Sequence, residues 1–214
     1  MKMKIKICGL KYPENILDIS NLKPDYLGFI FYDKSKRYVL ADNDVAFSNF
    51  MFNNEFRLQK VGVFVNEDQK NVIRLATMFD IQILQLHGDE SPAYCEELQL
   101  LGFEVIKAFG IDEQFDFSSL DEYENTCSYF LFDTKTSSYG GAGIHFDWNL
   151  LKQYHLNKPI FLSGGLELND IPTIHDLLND IPIHALDFNS KLEIDFGVKD
   201  VNKCSELIAI IRNT

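Results

Sequence analysis

Short apolar runs punctuate this chain, each bounded by polar residues or glycine and each followed by a segment with helix-like spacing. They are Lys4 to Cys8, Tyr26 to Phe31, Lys60 to Val65, Ile81 to Leu86, Phe103 to Ala108, Ser128 to Phe132, Pro159 to Leu162 and His184 to Phe188. Runs of this length, rich in branched and aromatic residues, predict strands. Between them, Glu67 to Phe79 sets Val72, Leu75, Ala76 and Phe79 at the i, i+3, i+4, i+7 positions of a buried helical stripe. Ser91 to Leu100 predicts another helix, opened by a capping serine and a proline in the first turn.

Such alternation makes the strands parallel, because each helix must carry the chain back before the next strand begins. Two closures satisfy it. A doubly wound sheet usually places a glycine-rich turn after its first strand, but Cys8-Gly9-Leu10-Lys11 has no GxGxxG. The glycines cluster late, in Gly140-Gly141-Ala142-Gly143 and Gly164-Gly165. A phosphate site built from late loops is a property of (β/α)8 barrels, and eight strands are what that fold needs. The expected fold is a single (β/α)8 TIM barrel of the α/β class over residues 1–214, with short loops.

Composition narrows the chemistry. The formal net charge of -12 opposes binding to nucleic acid, whose phosphates the overall field would repel. Cys8, Cys95, Cys127 and Cys204 show no CxxC spacing, so neither a zinc site nor a disulfide scaffold is expected, and a reducing cytoplasm fits. Nothing approaches the roughly 20 apolar residues of a membrane span, and the first apolar stretch is too short for a signal peptide.

Strand ends of such a barrel converge on one mouth. Cys8, Asp133, Ser163 and Asp187 end strands and are expected there. Cys8 follows Lys6 by two residues, on the same side of an ideal strand, so a neighbouring cation could favour a thiolate able to take a proton. The alternative for Cys8 is a small buried hydrophobe. Asp133 ends the run Phe130-Leu131-Phe132. An unpaired carboxylate facing the packed interior would be costly there, so it should face the mouth, where partial desolvation suits a general acid. Its alternative is a cap on the amides of Thr134 or Lys135. Gly141, Gly143, Gly164 and Gly165 let backbone N–H groups approach a phosphate, and Asn189 and Ser190 add donors. Arg37 offers a planar fork for a carboxylate, or is simply part of a solvated basic loop. His87 could orient substrate or another residue. No cluster has metal-ligand spacing, so no metal is expected.

These residues resemble the phosphoribosylanthranilate isomerase family of tryptophan biosynthesis along nearly the whole chain. The matching pieces are Lys6-Ile7-Cys8-Gly9, Ser35-Lys36-Arg37, Gly62-Val63-Phe64-Val65-Asn66, Gln85-Leu86-His87-Gly88, Phe132-Asp133-Thr134, Gly140-Gly141-Ala142-Gly143 with Phe146-Asp147-Trp148, Leu162-Ser163-Gly164-Gly165-Leu166, and Asp187-Phe188-Asn189-Ser190. The resemblance implies a cofactor-free Amadori rearrangement of N-(5-phosphoribosyl)anthranilate, an intramolecular oxidoreduction of the aldose–ketose type. It implies Asp133 as acid, Cys8 as base, Arg37 on the anthranilate carboxylate, and a substrate-binding set of His87, Asp187, Asn189, Ser190 and the late glycines. The expected partner is a small phosphorylated substrate, with the protein a cytoplasmic monomer or homodimer. Ile144, His145 and Lys191 depart from the family's usual lysine, threonine and glycine; a lysine at 191 would either add charge for phosphate or crowd the turn.

Two alternatives are a related sugar-phosphate isomerase, such as the histidine-pathway enzyme, and a catalytically silent barrel that binds a phosphorylated metabolite. The first is expected to carry aspartate where this chain has Cys8.

Overall fold

A computed structural model describes residues 3–41, 44–53, 58–135 and 145–213. All eight expected strands form: β1 (Lys4–Ile7), β2 (Tyr26–Ile30), β3 (Gln59–Phe64), β4 (Ile83–Leu86), β5 (Glu104–Ile111), β6 (Tyr129–Thr134), β7 (Ile160–Leu162) and β8 (Ile183–Phe188). They pair in sequence order, all parallel, and β1 closes on β8 with Lys6 opposite Asp187. The closed barrel is the closure that the late glycines and the count of eight strands favour over a doubly wound sheet.

Among the described residues six α-helices accompany them: α1 (Pro13–Asn21), α2 (Asp44–Asn53), α3 (Gln69–Met78), α4 (Pro92–Leu100), α5 (Ile171–Leu177) and α6 (Val201–Asn213). Helix α4 starts as its sequence dictates, with the Ser91 hydroxyl accepting the Tyr94 N–H at 3.3 Å and proline in the first turn. After β5 and β6 the chain departs from the helical expectation. The described return segments there contain 3-10 helices, Phe117–Tyr123 and Trp148–Gln153, rather than α-helices. Strand β4 also begins two residues later than the apolar run. Asp80 adopts φ +50°, and the Ile81 N–H turns back to the Ala76 carbonyl at 2.8 Å, so Ile81 completes the cap of α3 instead of joining the sheet.

Strand alternation divides the core in two. One row, including Ile5, Ile7, Leu27, Phe29, Phe64, Leu84, Phe130, Phe132, Leu162 and Phe188, packs with helix residues such as Ile16, Phe47 and Leu75. The other row, Tyr26, Val61, Ile83, Ile106, Leu131, Phe161 and Ala185, forms a separate cluster. Period-2 geometry puts this second row inside the barrel. Continuing it along each strand leads to the polar residues of the mouth.

Beyond β8 the chain forms a small antiparallel hairpin, β9 (Glu193–Asp195) with β10 (Val198–Lys199). Among the described residues no helix is long and apolar enough to cross a membrane.

Candidate active site

A cavity of about 720 Å³ opens where these inward rows end, lined by Cys8, Arg37, Gln85, His87, Asp133 and Asp187, with Ser163 to Leu166 and Asn189 to Lys191 on its rim. Cys8 follows β1 and Asp133 lies in β6, three positions away around the ring of eight. A thiol and a carboxyl therefore share one chamber.

Cys8 owes its space to Gly28: a Cβ built there would stand 2.7 Å from Sγ. Beneath it lies a buried ion pair, with Lys6 Nζ 2.8 Å from Asp187 Oδ2. The Lys6 charge also acts on Cys8, favouring its thiolate. Burial pushes the Cys8 thiol up, assisted by the Asp187 charge and opposed by Lys6 and Lys199. The neighbouring cation thus softens the cost of a thiolate without inverting it. Desolvation would by itself lower Lys6, but Asp187 and Cys8 outweigh it and hold the ammonium in its charged form. Burial raises Asp187 despite Lys6, and its Oδ1 is a buried acceptor with no hydrogen-bond partner among the described residues.

Asp133 both caps a neighbouring amide and faces the cavity. Oδ1 accepts the N–H of Thr134 at 2.8 Å, while the side chain lines the cavity with Oδ2 3.4 Å from His87 Nε2. Gly164, at φ +96°, lies against this carboxyl. A Cβ there would meet Thr134 Oγ1 at 2.6 Å and Asp133 Oδ1 at 3.1 Å, so only glycine fits both the conformation and the space. His87 Nδ1 is in turn 2.7 Å from Gln85 Nε2, and Gln85 Oε1 is 2.6 Å from Lys6 Nζ.

Arg37 is no freely solvated loop cation. Its Nε and Nη2 donate to the two oxygens of Glu193 in β9, at 2.8 and 2.5 Å. Glu193 also accepts from Lys199 at 2.8 Å, and Lys199, buried, donates to the carbonyl and Oδ1 of Asn189. Burial would raise the Glu193 carboxyl, but Arg37 and Lys199 prevail and hold it below the usual range. Burial pushes Lys199 down, against Glu193. Pairing along Nε and Nη2 leaves the Nη1 and Nη2 end of the guanidinium for a second carboxylate. Glu193, Lys199 and Gln85 escape the sequence reading; the signals for them are a buried-type polar residue inside β4 and the turn glycine Gly197 between two charged residues.

A family model described as N-(5'phosphoribosyl)anthranilate (PRA) isomerase matches residues 5–209. The chain belongs to this family. The N-(5'-phosphoribosyl)anthranilate isomerase of Parabacteroides distasonis is 38% identical over 206 residues, covering 96% of this chain and 92% of the relative. The solved phosphoribosyl anthranilate isomerase of Thermotoga maritima is similar at a TM-score of 0.83 and 30% identity, covering 99% of this chain and 100% of that one. A phosphoribosyl anthranilate isomerase solved in complex with reduced 1-(o-carboxyphenylamino)-1-deoxyribulose 5-phosphate gives 0.80 at 27% identity, over 99% and 100% of the two chains.

Against the pattern of the phosphoribosylanthranilate isomerases, two of the three departures now have a structural account. Lys191 sits in a 3-10 helix, Ser190–Leu192, without a left-handed backbone, so it does not strain the turn. Its Nζ is 3.9 Å from Glu167 Oε1 at the cavity rim. His145 Nε2 lies 2.9 Å from the Gly165 carbonyl and 3.1 Å from Asp170 Oδ2, with its ring stacked on Trp148. It fixes the loop that carries Gly165. Gly141, Gly143 and Ile144 fall outside the described residues.

Proposed function

We propose that this barrel, acting as one catalytic domain over residues 1–214, converts N-(5-phosphoribosyl)anthranilate to 1-(2-carboxyphenylamino)-1-deoxyribulose 5-phosphate in L-tryptophan biosynthesis. The observation that carries this reading is the placement of Cys8 and Asp133 on one chamber in a chain of this family. Asp133 gives its proton to the furanose ring oxygen, the C1–O bond breaks, and the lone pair of the anthranilate nitrogen completes a protonated Schiff base. Cys8, as thiolate, takes the C2 proton; the freed electrons form C1=C2 and neutralise the nitrogen. The enolamine then gains a proton at C1 and loses its hydroxyl proton, leaving a ketone at C2. Carbon 1 is reduced and carbon 2 oxidised, so the reaction is an intramolecular oxidoreduction.

The remaining groups position the substrate. The outer end of Arg37 takes the anthranilate carboxylate. Backbone N–H groups of Gly164, Gly165 and Ser190, with Asn189 and the loop of Gly141 and Gly143, hold the 5-phosphate, and Lys191 adds positive charge. The unpartnered Oδ1 of Asp187 accepts a sugar hydroxyl, which would remove the cost of leaving that oxygen unbonded. His87 acts on Asp133. Each of these groups comes from one chain, so a monomer or a homodimer would serve equally. Four unpaired cysteines suit a reducing cytoplasm.

The direct test mixes purified protein with freshly made phosphoribosylanthranilate and follows the loss of its fluorescence. Rapid decay above the spontaneous rate is expected. No acceleration across pH 6 to 9 would transfer the assignment to a silent phosphometabolite-binding barrel.

A further inference from the structure

Gln85 is a buried amide inside a barrel row that otherwise holds Ile83, and burying an amide is costly unless its polar ends are satisfied. Both ends are satisfied, and the identity of each partner removes all freedom from the arrangement. Lys6 Nζ can only donate, so the end of Gln85 that lies 2.6 Å from it must be the carbonyl oxygen. The other end is then an NH2 group, which also can only donate, and it stands 2.7 Å from His87 Nδ1. Nδ1 must therefore carry a lone pair. A neutral imidazole has one N–H, and here it falls on Nε2, the nitrogen 3.4 Å from Asp133 Oδ2.

We propose that Gln85 is a positioning residue for the acid Asp133: held by Lys6, it fixes His87 as the Nε2–H tautomer, so that a donor always faces the carboxylate Asp133 becomes on giving up its proton. The inference rests on the acid role assigned to Asp133 above. The other oxygen of that carboxylate already accepts the Thr134 N–H at 2.8 Å. Charge that develops as the ring oxygen is protonated thus meets two prearranged N–H groups. The 3.4 Å contact is at the outer limit of a hydrogen bond, and substrate binding can shorten such a contact. The same Lys6 serves Asp187 and Cys8, so one cation orients the machinery on both sides of the chamber.

Two measurements test this. A two-bond 1H–15N correlation spectrum reports the His87 tautomer directly, with His87→Gln identifying its signals among the five histidines. The wild type should show the proton on Nε2. Gln85→Glu keeps the shape and the bond to Lys6 but offers His87 an acceptor, so the proton should move to Nδ1. Its kcat should fall at least about tenfold with KM within about threefold. His87→Gln supplies an amide donor that has no tautomer, so adding Gln85→Glu to that variant should change kcat by no more than about twofold. A proton on Nδ1 in the wild type overturns the proposal, as does an equal cost of Gln85→Glu in both backgrounds. Should Gln85→Glu fail to fold, Gln85→Met is read in the same way, with a mixture of tautomers expected and a pure Nε2–H form overturning the proposal. Absence of turnover in the wild type would strike the activity assignment, whereas the tautomer spectrum judges the inference independently.

Discussion

Glu193 takes the inner edge of Arg37, through Nε and Nη2, and turns a flexible side chain into a fixed two-pronged donor at the cavity wall. Glu193→Gln keeps one acceptor but sets an amide NH2 against a guanidinium N–H. We expect KM for phosphoribosylanthranilate to rise about tenfold with a smaller change in kcat, since the loss is in recognition. Because buried Lys199 loses its carboxylate partner as well, unfolding should come earlier by roughly 1–3 kcal/mol, seen as a lower Tm. An unchanged KM would show that Arg37 does not hold the substrate carboxylate.

Cys8→Ala and Asp133→Asn should each reduce kcat at least about 100-fold, the lower range for loss of a general base or acid. The asparagine retains an oxygen for the Thr134 N–H, so the local fold should survive. Inorganic phosphate binding, followed by calorimetry, should persist in both. Normal turnover in either folded variant would remove its assigned role.

Gly28→Ala probes the same base without touching it. The added methyl would begin 2.7 Å from Sγ, which forces the thiol or the strand to move. Turnover should drop by about tenfold or more, in line with small displacements of a reacting group. A rate within twofold of wild type would mean that the position of Sγ is not critical.

The opposite end of the barrel sets an acid limit on stability. His184 Nε2 is 2.8 Å from Tyr26 Oη, which also accepts from Lys4 at 3.1 Å. Burial, reinforced by Lys4, lowers His184 to about 4. The folded state therefore binds fewer protons than the unfolded chain between pH about 6.5 and about 4, and stability must fall as pH drops through that window. From pH 6.5 to 5 the cost, reduced by solvent screening at this partly exposed ring, should be on the order of 1 kcal/mol, or about 2–4 °C in Tm. His184→Gln should flatten that slope. An identical slope in the variant would locate the acid sensitivity elsewhere.

What could be read from sequence follows from what periodicity encodes. Cys8 and Asp133 were legible because each interrupts an apolar run at a strand end, and a closed barrel sends all such ends to one mouth. The strands themselves were legible for the same reason, though the cap at Asp80 and Ile81 shows that an apolar residue can close a helix rather than open a strand. The clamp on Arg37 was not legible. Glu193 lies 156 residues away in a polar stretch, and no local spacing distinguishes a carboxylate that folds back onto an arginine from one that faces water. His87 was visible as a polar residue at a strand end, but its role depends on Gln85, which is itself held by Lys6 from 79 residues earlier.

The pairing of residue 37 with residue 193 also orders events during synthesis. The arginine leaves the ribosome early, yet its partner emerges only after the eighth strand, and Lys6 likewise waits for Asp187. A nascent chain halted before that strand lacks the carboxylates that pair with Lys6 and Arg37, so competence should arrive abruptly once the eighth strand and the hairpin behind it emerge rather than accrue module by module.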